Sequence, residues 1–347
     1  MTRNLAVFSE TFPLLRPFRI SRGAKTEAQV VTVVLEQDGV TGRGECVPYP
    51  RYGETVESTI AAIETLRDPL EQGAGRTDLL QLMPYGAARN AVDCALWDLE
   101  ARLAGTSVTA LLGRPGPLRP VATALTVGLD TPERMGAAAR ELARVPLIKV
   151  KVDRNDPAAQ LRAVRAMAPR PRLIVDPNES WTIDEVANLQ SLMADLRVDL
   201  LEQPLPAGED GALAGFSSAI PIAADESIHV AQDLDTLPDG YHVVNIKLDK
   251  AGGLTAALEL ADAAKARGLA RMTGCMVCSS LSIAPALVIA ADSAFVDLDG
   301  PVWLAQDRAG GVSCEEGVLN GPDVDFWGGL QAGTLAPSPV ADHALEP

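Results

Sequence analysis

Six charged residues follow short apolar runs at near-equal intervals through the second half of this 347-residue chain. Their separations are 25, 26, 23, 22 and 50 residues, and the last, double interval contains one more apolar run, ARMTG at 270–274. Ammonium and carboxylate groups gathered in one place could bind a cation and move protons. The six residues are Lys151, Asp176, Glu202, Asp225, Lys247 and Asp297.

The elements that would position these groups are repeated strand and helix units. About 25 residues suffice for one strand, one helix and two short loops, and parallel strands need a helical crossover of that size. Seven or eight such units close into a barrel, whose chemistry lies at the C-terminal ends of its strands. The charges fall at those ends. We therefore predict an α/β fold, a modified TIM barrel of the (β/α)7β type, with the catalytic barrel at 120–300.

A different organisation is predicted for the two ends of the chain. The alternating, β-branched run at 28–36, the DG turn after it and GRGEC predict an antiparallel meander. Helical patterns follow at 54–67 and 85–104, so we interpret residues 1–115 as an α+β capping domain. Residues 301–347 show no clear period. We expect them to pack back on the capping domain and complete it, with the last residues frayed.

Composition narrows the classes of function. The net charge of −16 argues against nucleic acid as a partner. The N-terminus lacks a signal-peptide pattern, and no apolar stretch is long enough to span a bilayer, so no membrane partner is expected. The cysteines form an odd, scattered set without a disulfide framework, which predicts reduced thiols in the cytoplasm. They are Cys46, Cys94, Cys275, Cys278 and Cys314.

Three of the strand-end acids suggest a metal site. Asp176, Glu202 and Asp225 would stand on adjacent strands and would repel one another unless a cation neutralised them. Hard oxygen ligands on separate strands suit Mg²⁺. The alternative for each acid alone is an exposed charge at a strand end. We expect Asn178 and Glu226, which lie beside the acids in sequence, to support them by hydrogen bonds.

The lysines suggest proton transfer. Lys149 and Lys151 are two residues apart on one strand and share a face, and Lys247 would lie across the barrel from them. The alternative for any one of them is a solvated charge. Mutual repulsion and a nearby Mg²⁺ would lower their pKa values and make a neutral amine accessible. Bases on opposite faces of a carbon are what a racemase or epimerase requires.

The motifs that contain these residues resemble the enolase superfamily, in its muconate-lactonising subgroup. Further motifs narrow the resemblance to dipeptide epimerases of the L-Ala-D/L-Glu type. Pro177 departs from the small residue that relatives often carry, and an extended Asp176 would tolerate it. The superfamily motifs are KVK at 149–151, VDPNESW at 175–181, LEQPLP at 201–206, ADES at 224–227 and NIKLDKAGG at 245–253. The narrowing motifs are PYPRYGET at 48–55, AARNAVDCALWDLEARLAG at 87–105, GCMVC at 274–278 and DLDGP at 297–301.

The resemblance implies a mechanism. One Mg²⁺ per subunit, for which Mn²⁺ could substitute, would bind the C-terminal carboxylate of a dipeptide. Lys151 and Lys247 would act as the two acid/bases, and Lys149 would stabilise the enediolate oxygen. Asp297 and Asp299 would hold the N-terminal ammonium group. The alternative for DLDG is a turn with solvated acids.

The resemblance also implies contacts with the rest of the substrate. Arg22 resembles the residue that grips the side-chain carboxylate of Glu, with Arg19 as the rival candidate. Thr126 and Cys275 resemble substrate contacts, and Cys278 is interpreted as packing. Cys275 and Cys278 form a C-x-x-C pair, but a zinc site is not expected because no second pair lies near.

The favoured interpretation is an isomerase, a Mg²⁺-dependent dipeptide epimerase that acts on L-Ala-D/L-Glu in the recycling of murein peptides. Muconate cycloisomerisation or o-succinylbenzoate synthesis could use the same lysines and remain alternatives. A binding protein on a decayed barrel would have lost at least one ligand or base, and all are present. We expect a cytoplasmic homo-oligomer with a small dipeptide as its ligand.

Overall fold

A computed structural model describes residues 3–114 and 116–329. Its first unit is an antiparallel sheet in the order β1–β2–β3, which confirms the predicted meander. Alternate side chains of β2, Val31, Val33 and Leu35, are buried against a layer of helices. The strands are β1 (Arg3–Ile20), β2 (Gly23–Gln37) and β3 (Val40–Cys46), and the helices are α1 (Val56–Glu64), α2 (Arg67–Glu71), α3 (Arg76–Leu82), α4 (Ala87–Leu103) and α5 (Val108–Leu111).

Helix α4 is the packing centre of this capping unit. One of its faces, which includes Val92 and Leu96, joins the core of the capping unit, and another, which includes Trp97, joins the core of the following barrel. Gly42 and Gly44 let β3 approach the helix closely, because a Cβ at either position would collide with the α4 backbone. The capping unit therefore contacts the barrel through a helix buried on both sides.

Eight parallel strands form one sheet in the order β12 to β5. The two edge strands are bridged, because Leu298 N donates to Thr123 Oγ1 and Thr126 N donates to Asp299 Oδ2, each at 2.8 Å. The sheet is a nearly closed barrel, and the predicted fold class is confirmed. After the short β4 (Val121–Ala122), the barrel strands are β5 (Ala124–Val127), β6 (Leu147–Lys151), β7 (Arg172–Asp176), β8 (Leu200–Glu202), β9 (Ile222–Ala224), β10 (Val243–Ile246), β11 (Ala270–Gly274) and β12 (Phe295–Asp297).

The crossovers differ from the prediction in two places. Only short 3-10 turns, at Asp210–Leu213 and Ala231–Asp235, lie between β8 and β9 and between β9 and β10. Gly and Pro residues interrupt both segments, which read PLPAGEDGALAGF and DLDTLPDG, and they disfavour a longer helix. The other crossovers carry α6 (Pro132–Glu141), α7 (Pro157–Met167), α8 (Ile183–Asp195), α9 (Leu248–Ala251), α10 (Leu254–Ala266) and α11 (Ser280–Ala290).

The C-terminal segment returns to both units. Strands β13 (Ser313–Glu315) and β14 (Val318–Asn320) pair antiparallel with each other, and β14 pairs with β4. The buried Trp327 donates through Nε1 to the carbonyl oxygens of Arg43 and Cys94 at 3.1 and 3.2 Å. The described part of the tail thus completes the capping unit, as the predicted fold class states. Residues 330–347, with their predicted fraying, lie outside the described residues.

None of the helices within residues 3–114 and 116–329 combines the length and the apolar character that a membrane crossing requires.

Candidate active site

The barrel interior is built in layers. One buried apolar side chain from each strand forms the lower layer, and residues two further along each strand point to the same side. The upper layer therefore receives polar and charged side chains at the C-terminal ends of the strands. The lower layer consists of Ala124, Leu147, Ile174, Leu200, Ala223, Val243, Met272 and Phe295, and the upper positions are Thr126, Lys149, Asp176, Glu202, Asp225, Asn245, Gly274 and Asp297.

A cavity of about 450 Å³ lies above this upper layer, between the barrel mouth and loops of the capping unit. The predicted acid ligands lie below the cavity and are almost fully buried, and Arg19 is exposed and outside its lining. The structure thus brings every other predicted site residue to one cavity. These residues are Arg22, Thr126, Lys149, Lys151, Asn178, Glu226, Lys247, Cys275, Asp297 and Asp299.

Lys149 lies among the acids. Its Nζ is 2.8 Å from Asp297 Oδ2, 2.7 Å from Glu202 Oε2 and 3.0 Å from Asp176 Oδ2. Burial alone would lower the pKa of this ammonium group, but the surrounding carboxylates outweigh burial and raise the pKa well above its usual value. Lys149 is therefore a fixed positive charge at the floor of the cavity.

Lys151 and Lys247 stand on opposite walls, because their strands β6 and β10 are four places apart in an eight-stranded barrel. Lys151 Nζ donates to Asp176 Oδ2 and Lys247 Nζ donates to Asp225 Oδ2, both at 2.6 Å. Burial lowers the pKa of Lys247, but the Asp225 carboxylate outweighs burial and raises it above its usual value. We expected a lowered pKa from repulsion and a nearby cation. The difference arises because the lysine contacts a carboxylate directly.

Neighbouring side chains orient the three acids. Asp176 accepts hydrogen bonds from Asn178 N at 2.8 Å and Asn178 Nδ2 at 3.1 Å, and Asn178 adopts a left-handed φ of +49°. Glu202 accepts a hydrogen bond from Asn245 Nδ2 at 2.9 Å. Burial and then repulsion from Asp176 raise the pKa of Glu202 to about 8. An added cation would relieve this unfavourable burial of negative charge.

Asp225 is held from behind by a lysine that the sequence analysis did not single out. Lys250 Nζ donates to Asp225 Oδ1 at 2.6 Å, to the Asp225 carbonyl oxygen, and to the Asn245 carbonyl oxygen at 3.0 Å. Burial would raise the pKa of Asp225, but the Lys247 and Lys250 charges outweigh burial and hold it well below the usual range. The signal was present in the sequence, since Lys250 belongs to the same motif as Lys247, NIKLDKAGG at 245–253.

The chemistry of this donor set suits a hard divalent cation. Within residues 3–114 and 116–329, no three His, Cys, Asp or Glu side chains form a ready-made metal-binding group, because lysines lie among the acids. Glu202 Oε2 is 2.7 Å from Lys149 Nζ but accepts no hydrogen bond. Buried oxygens that accept no hydrogen bond can take Mg²⁺ or a substrate group as a partner. The others near the cavity are Asn178 Oδ1, Glu226 Oε2, Asn245 Oδ1 and Asp297 Oδ1.

The rim of the cavity carries two cations in different environments. Arg22 donates to Glu226 Oε1 at 2.7 Å and Glu179 Oε2 at 2.9 Å, so two carboxylates already neutralise it. Lys25 lies over the ring of Tyr49 at 5.1 Å and forms no ion pair with any described residue. The sequence analysis missed Lys25, which stands three residues after Arg22, near the start of β2.

Two parts of the chain match known protein-family models. Residues 2–113 match the model of the mandelate racemase / muconate lactonizing enzyme N-terminal domain, and residues 134–325 match that of the enolase C-terminal domain-like family. The chain belongs to the enolase superfamily. The resemblance inferred from the motifs is therefore confirmed, and superfamily members provide the relevant relatives.

Two relatives in this superfamily act on glutamate derivatives, according to their names. The L-Ala-D/L-Glu epimerase of Escherichia coli is 48% identical over 307 residues, which are 88% of this chain and 95% of the relative. The N-acetyl-D-glutamate racemase of a Pseudoalteromonas species is 41% identical over 303 residues, 86% of this chain and 95% of the relative. Both names denote inversion at a carbon.

Solved superfamily structures hold cations and dipeptides. An enolase family member from Agrobacterium tumefaciens, with bound sodium and L-Ala-L-Glu, superposes with a TM-score of 0.91 at 46% identity, covering 94% of this chain and all of that one. A dipeptide epimerase from Methylococcus capsulatus, complexed with Mg and L-Arg-D-Lys, gives 0.83 at 34% identity, covering 93% and 98%.

Proposed function

We propose that this chain is a Mg²⁺-dependent dipeptide epimerase that inverts the α-carbon of the C-terminal residue of L-Ala-D/L-Glu. The observation that carries the proposal is the placement of Lys151 and Lys247 on opposite walls of one cavity. A base on each side of a bound carbon can remove a proton from one face and return a proton to the other. The names of the relatives support inversion as the reaction class.

The remaining charges of the floor have complementary roles. Asp176, Glu202 and Asp225 would hold Mg²⁺ or, with partial activity, Mn²⁺. When bound, the cation would draw charge from the substrate carboxylate and make the α-proton more acidic. Lys149 stays cationic among its carboxylates and would stabilise the negative charge that develops on the substrate carboxylate. Lys151 and Lys247 would carry the proton at the α-carbon.

Asp297 and Asp299 would bind the N-terminal ammonium group of the dipeptide. Asp297 Oδ1 is buried without a hydrogen-bond partner, and both residues line the cavity. Asp299 Oδ2 already accepts hydrogen bonds from Thr126 N at 2.8 Å and Trp303 Nε1 at 3.2 Å. Burial and then the charge of Asp297 raise the pKa of Asp299 to about 6. An ammonium group between the two acids would relieve their repulsion.

The cation that selects a glutamate side chain is Arg22 or Lys25. A substrate carboxylate would have to compete with Glu226 and Glu179 for Arg22, whereas Lys25 is free of such competitors among the described residues. The ring of Tyr49 under Lys25 favours the cation without neutralising it. We therefore propose Lys25 as a further contact for the side-chain carboxylate, with Arg22 bracing the loop.

A second candidate is racemisation of N-acetyl-glutamate, which the 41% identity to a racemase of that substrate favours. An acetylated nitrogen carries no charge for Asp297 and Asp299 to pair with. Muconate cycloisomerisation and o-succinylbenzoate synthesis face the same objection, because their substrates have no ammonium group. Without an ammonium group the repulsion between Asp297 and Asp299 is not relieved, which disfavours all three reactions.

The test is incubation of the Mg²⁺-loaded protein in D₂O with each substrate separately, followed by mass spectrometry for α-deuterium and chiral chromatography. We expect L-Ala-L-Glu to exchange and epimerise, and N-acetyl-D-glutamate to react at least about 100-fold more slowly, because it lacks the charge partner. Equal turnover of the acetylated compound, or cycloisomerisation of muconate, would replace the proposal. We also propose a homo-oligomer that acts on murein-derived peptides in the cytoplasm, and light scattering would check the assembly.

A further inference from the structure

The two bases are anchored in different ways. Lys151 is the last residue of β6, and in the parallel ladder its Cα pairs with that of Asp176 on β7. Lys247 follows β10 and is the N-terminal cap of the short helix α9. Its carbonyl oxygen accepts hydrogen bonds from the N–H groups of Lys250 and Ala251 at 3.1 and 2.9 Å. The position of Lys247 therefore depends on α9, whereas Lys151 depends on the sheet.

Helix α9 rests on the capping unit through buried hydrogen bonds. Asp249 Oδ1 accepts from Asn90 Nδ2 at 2.8 Å and from Val47 N at 3.0 Å. Arg89, the neighbour of Asn90 on α4, donates to the two carbonyl oxygens at the end of α9 at 2.8 and 3.0 Å. Asn90, Asp249 and Arg89 are all buried. The capping unit thus holds both ends of the segment that carries Lys247.

The contact between α9 and α4 is close, and its burial of Asp249 is energetically unfavourable. A Cβ at Gly252 would meet the Arg89 side chain at 2.5 Å, and both Gly252 and the next residue adopt positive φ. Asp249 has no ion-pair partner among the described residues, and burial raises its pKa to about 7. A buried carboxylate without a cation is a poor source of stability. The two hydrogen bonds of Asp249 therefore serve to position α9 more than to stabilise the fold.

We propose that Asn90 and Asp249 are positioning residues for Lys247, so that this contact of the capping unit with α9 sets the position of one base and not of the other. The inference rests on the proposed function. Neither side chain lines the cavity, so both would act through Lys247. Loss of this contact would displace one base by a fraction of an ångström to an ångström, and a displacement of that size can cost roughly 100-fold in rate.

The test measures α-deuterium wash-in from L-Ala-L-Glu and L-Ala-D-Glu separately, because each base serves one isomer. Lys247→Ala identifies the isomer that Lys247 deprotonates. Asp249→Ala should slow wash-in from that isomer by about 10- to 100-fold and from the other isomer by less than about 3-fold. Asp249→Asn keeps an acceptor oxygen for both donors and should recover most of the lost rate.

The matched control is Asp93→Asn. Asp93 is a buried acid like Asp249, but it lies on α4. Its carboxylate accepts hydrogen bonds from the N and Oγ1 of Thr255 on α10, at 2.9 and 2.6 Å, and not from α9. We expect it to affect both isomers equally. Equal loss from both isomers in Asp249→Ala, or no recovery in a folded Asp249→Asn, would overturn the positioning role. If Asp249→Ala does not fold, Asn90→Ala must show the same one-sided loss. Absence of wash-in with the wild-type protein would instead refute the proposed function.

Discussion

The floor and the rim of the cavity are built by different means. The floor charges, Lys149, Asp176 and Glu202 among them, lie at strand ends, are almost fully buried and neutralise one another. The rim charges lie where β1 turns into β2 in the capping unit, Arg22 in the turn and Lys25 near the start of β2, and the Arg22 side chain is 27% exposed. Charges interact strongly in a buried, rigid setting and weakly where water reaches them. The floor therefore suits the chemical step, and the rim suits the choice of substrate.

This division explains how one barrel can serve relatives named for different substrates. Loops tolerate substitution, whereas a buried network fails when one partner is lost. A floor residue whose substitution only changes substrate preference, or a rim residue whose substitution abolishes the reaction, would contradict this division.

The largest effect is expected at the floor. Glu202→Gln and Asp176→Asn should each lower kcat for L-Ala-L-Glu by at least about 1,000-fold, because each removes a ligand of a cation that supplies several kcal/mol. Exhaustive chelation of the wild-type protein should do the same, and added Mg²⁺ should restore activity. Steady-state kinetics with metal titration measures all three effects.

The matched control for the floor is Asp199→Asn. Asp199 precedes β8, at the opposite end of that strand from Glu202, and pairs with Arg172 at 3.1 Å. The same chemical change there should leave kcat within about 2-fold, because it is a partly exposed pair far from the cavity. Full turnover after chelation, or an Asp199 effect as large as that of Glu202, would contradict the role of the floor.

An intermediate effect is expected at the rim. Lys25→Ala should lower kcat/KM for L-Ala-L-Glu by about 10- to 100-fold and change L-Ala-L-Leu by less than about 3-fold, because only the first substrate has a charge to lose. Arg22→Ala should lower both substrates to a similar degree if Arg22 only braces the loop. A selective loss of L-Ala-L-Glu in Arg22→Ala alone would return specificity to Arg22.

The smallest effect concerns stability and pH. Burial, together with the charges of Glu54 and Glu45, raises the pKa of Asp249 to about 7 against the opposing hydrogen bonds from Val47 N and Asn90. A raised folded-state pKa gives stability that is present below the unfolded-state pKa and is lost as pH rises through about 7. The Tm of Asp249→Asn relative to wild type should therefore rise by a few degrees between pH 5.5 and 8, as roughly 1 kcal/mol shifts Tm by 2–4 °C. A constant difference across that range would show that Asp249 does not ionise there.

The floor was largely predictable because a strand repeats every two residues and the strands recur about every 25. Lys149, Lys151 and Asp176 follow from those two periods alone. The confirmed family resemblance added Asp299, which follows β12. The two 3-10 crossovers were missed because a spacing of 22 or 23 residues does not distinguish a helix from a turn-rich segment.

The contacts that join distant segments were not predictable from either period. Asn90 and Asp249 are 159 residues apart, and Arg22 and Glu226 are 204 apart. Each pair depends on how the capping unit sits on the barrel. The raised pKa of Lys247 was not predictable for a similar reason. The sequence places charges at strand ends, but it does not show that Lys247 contacts Asp225.

The most direct test of the two-base site compares Lys151→Ala with Lys247→Ala in D₂O. Each variant should lose epimerisation, yet each should retain α-deuterium wash-in from one isomer, L-Ala-L-Glu for one variant and L-Ala-D-Glu for the other. The reason is that the remaining lysine still reaches one face of the α-carbon. Wash-in that disappears from both isomers in both variants, or that persists from the same isomer in both, would contradict two bases on opposite walls.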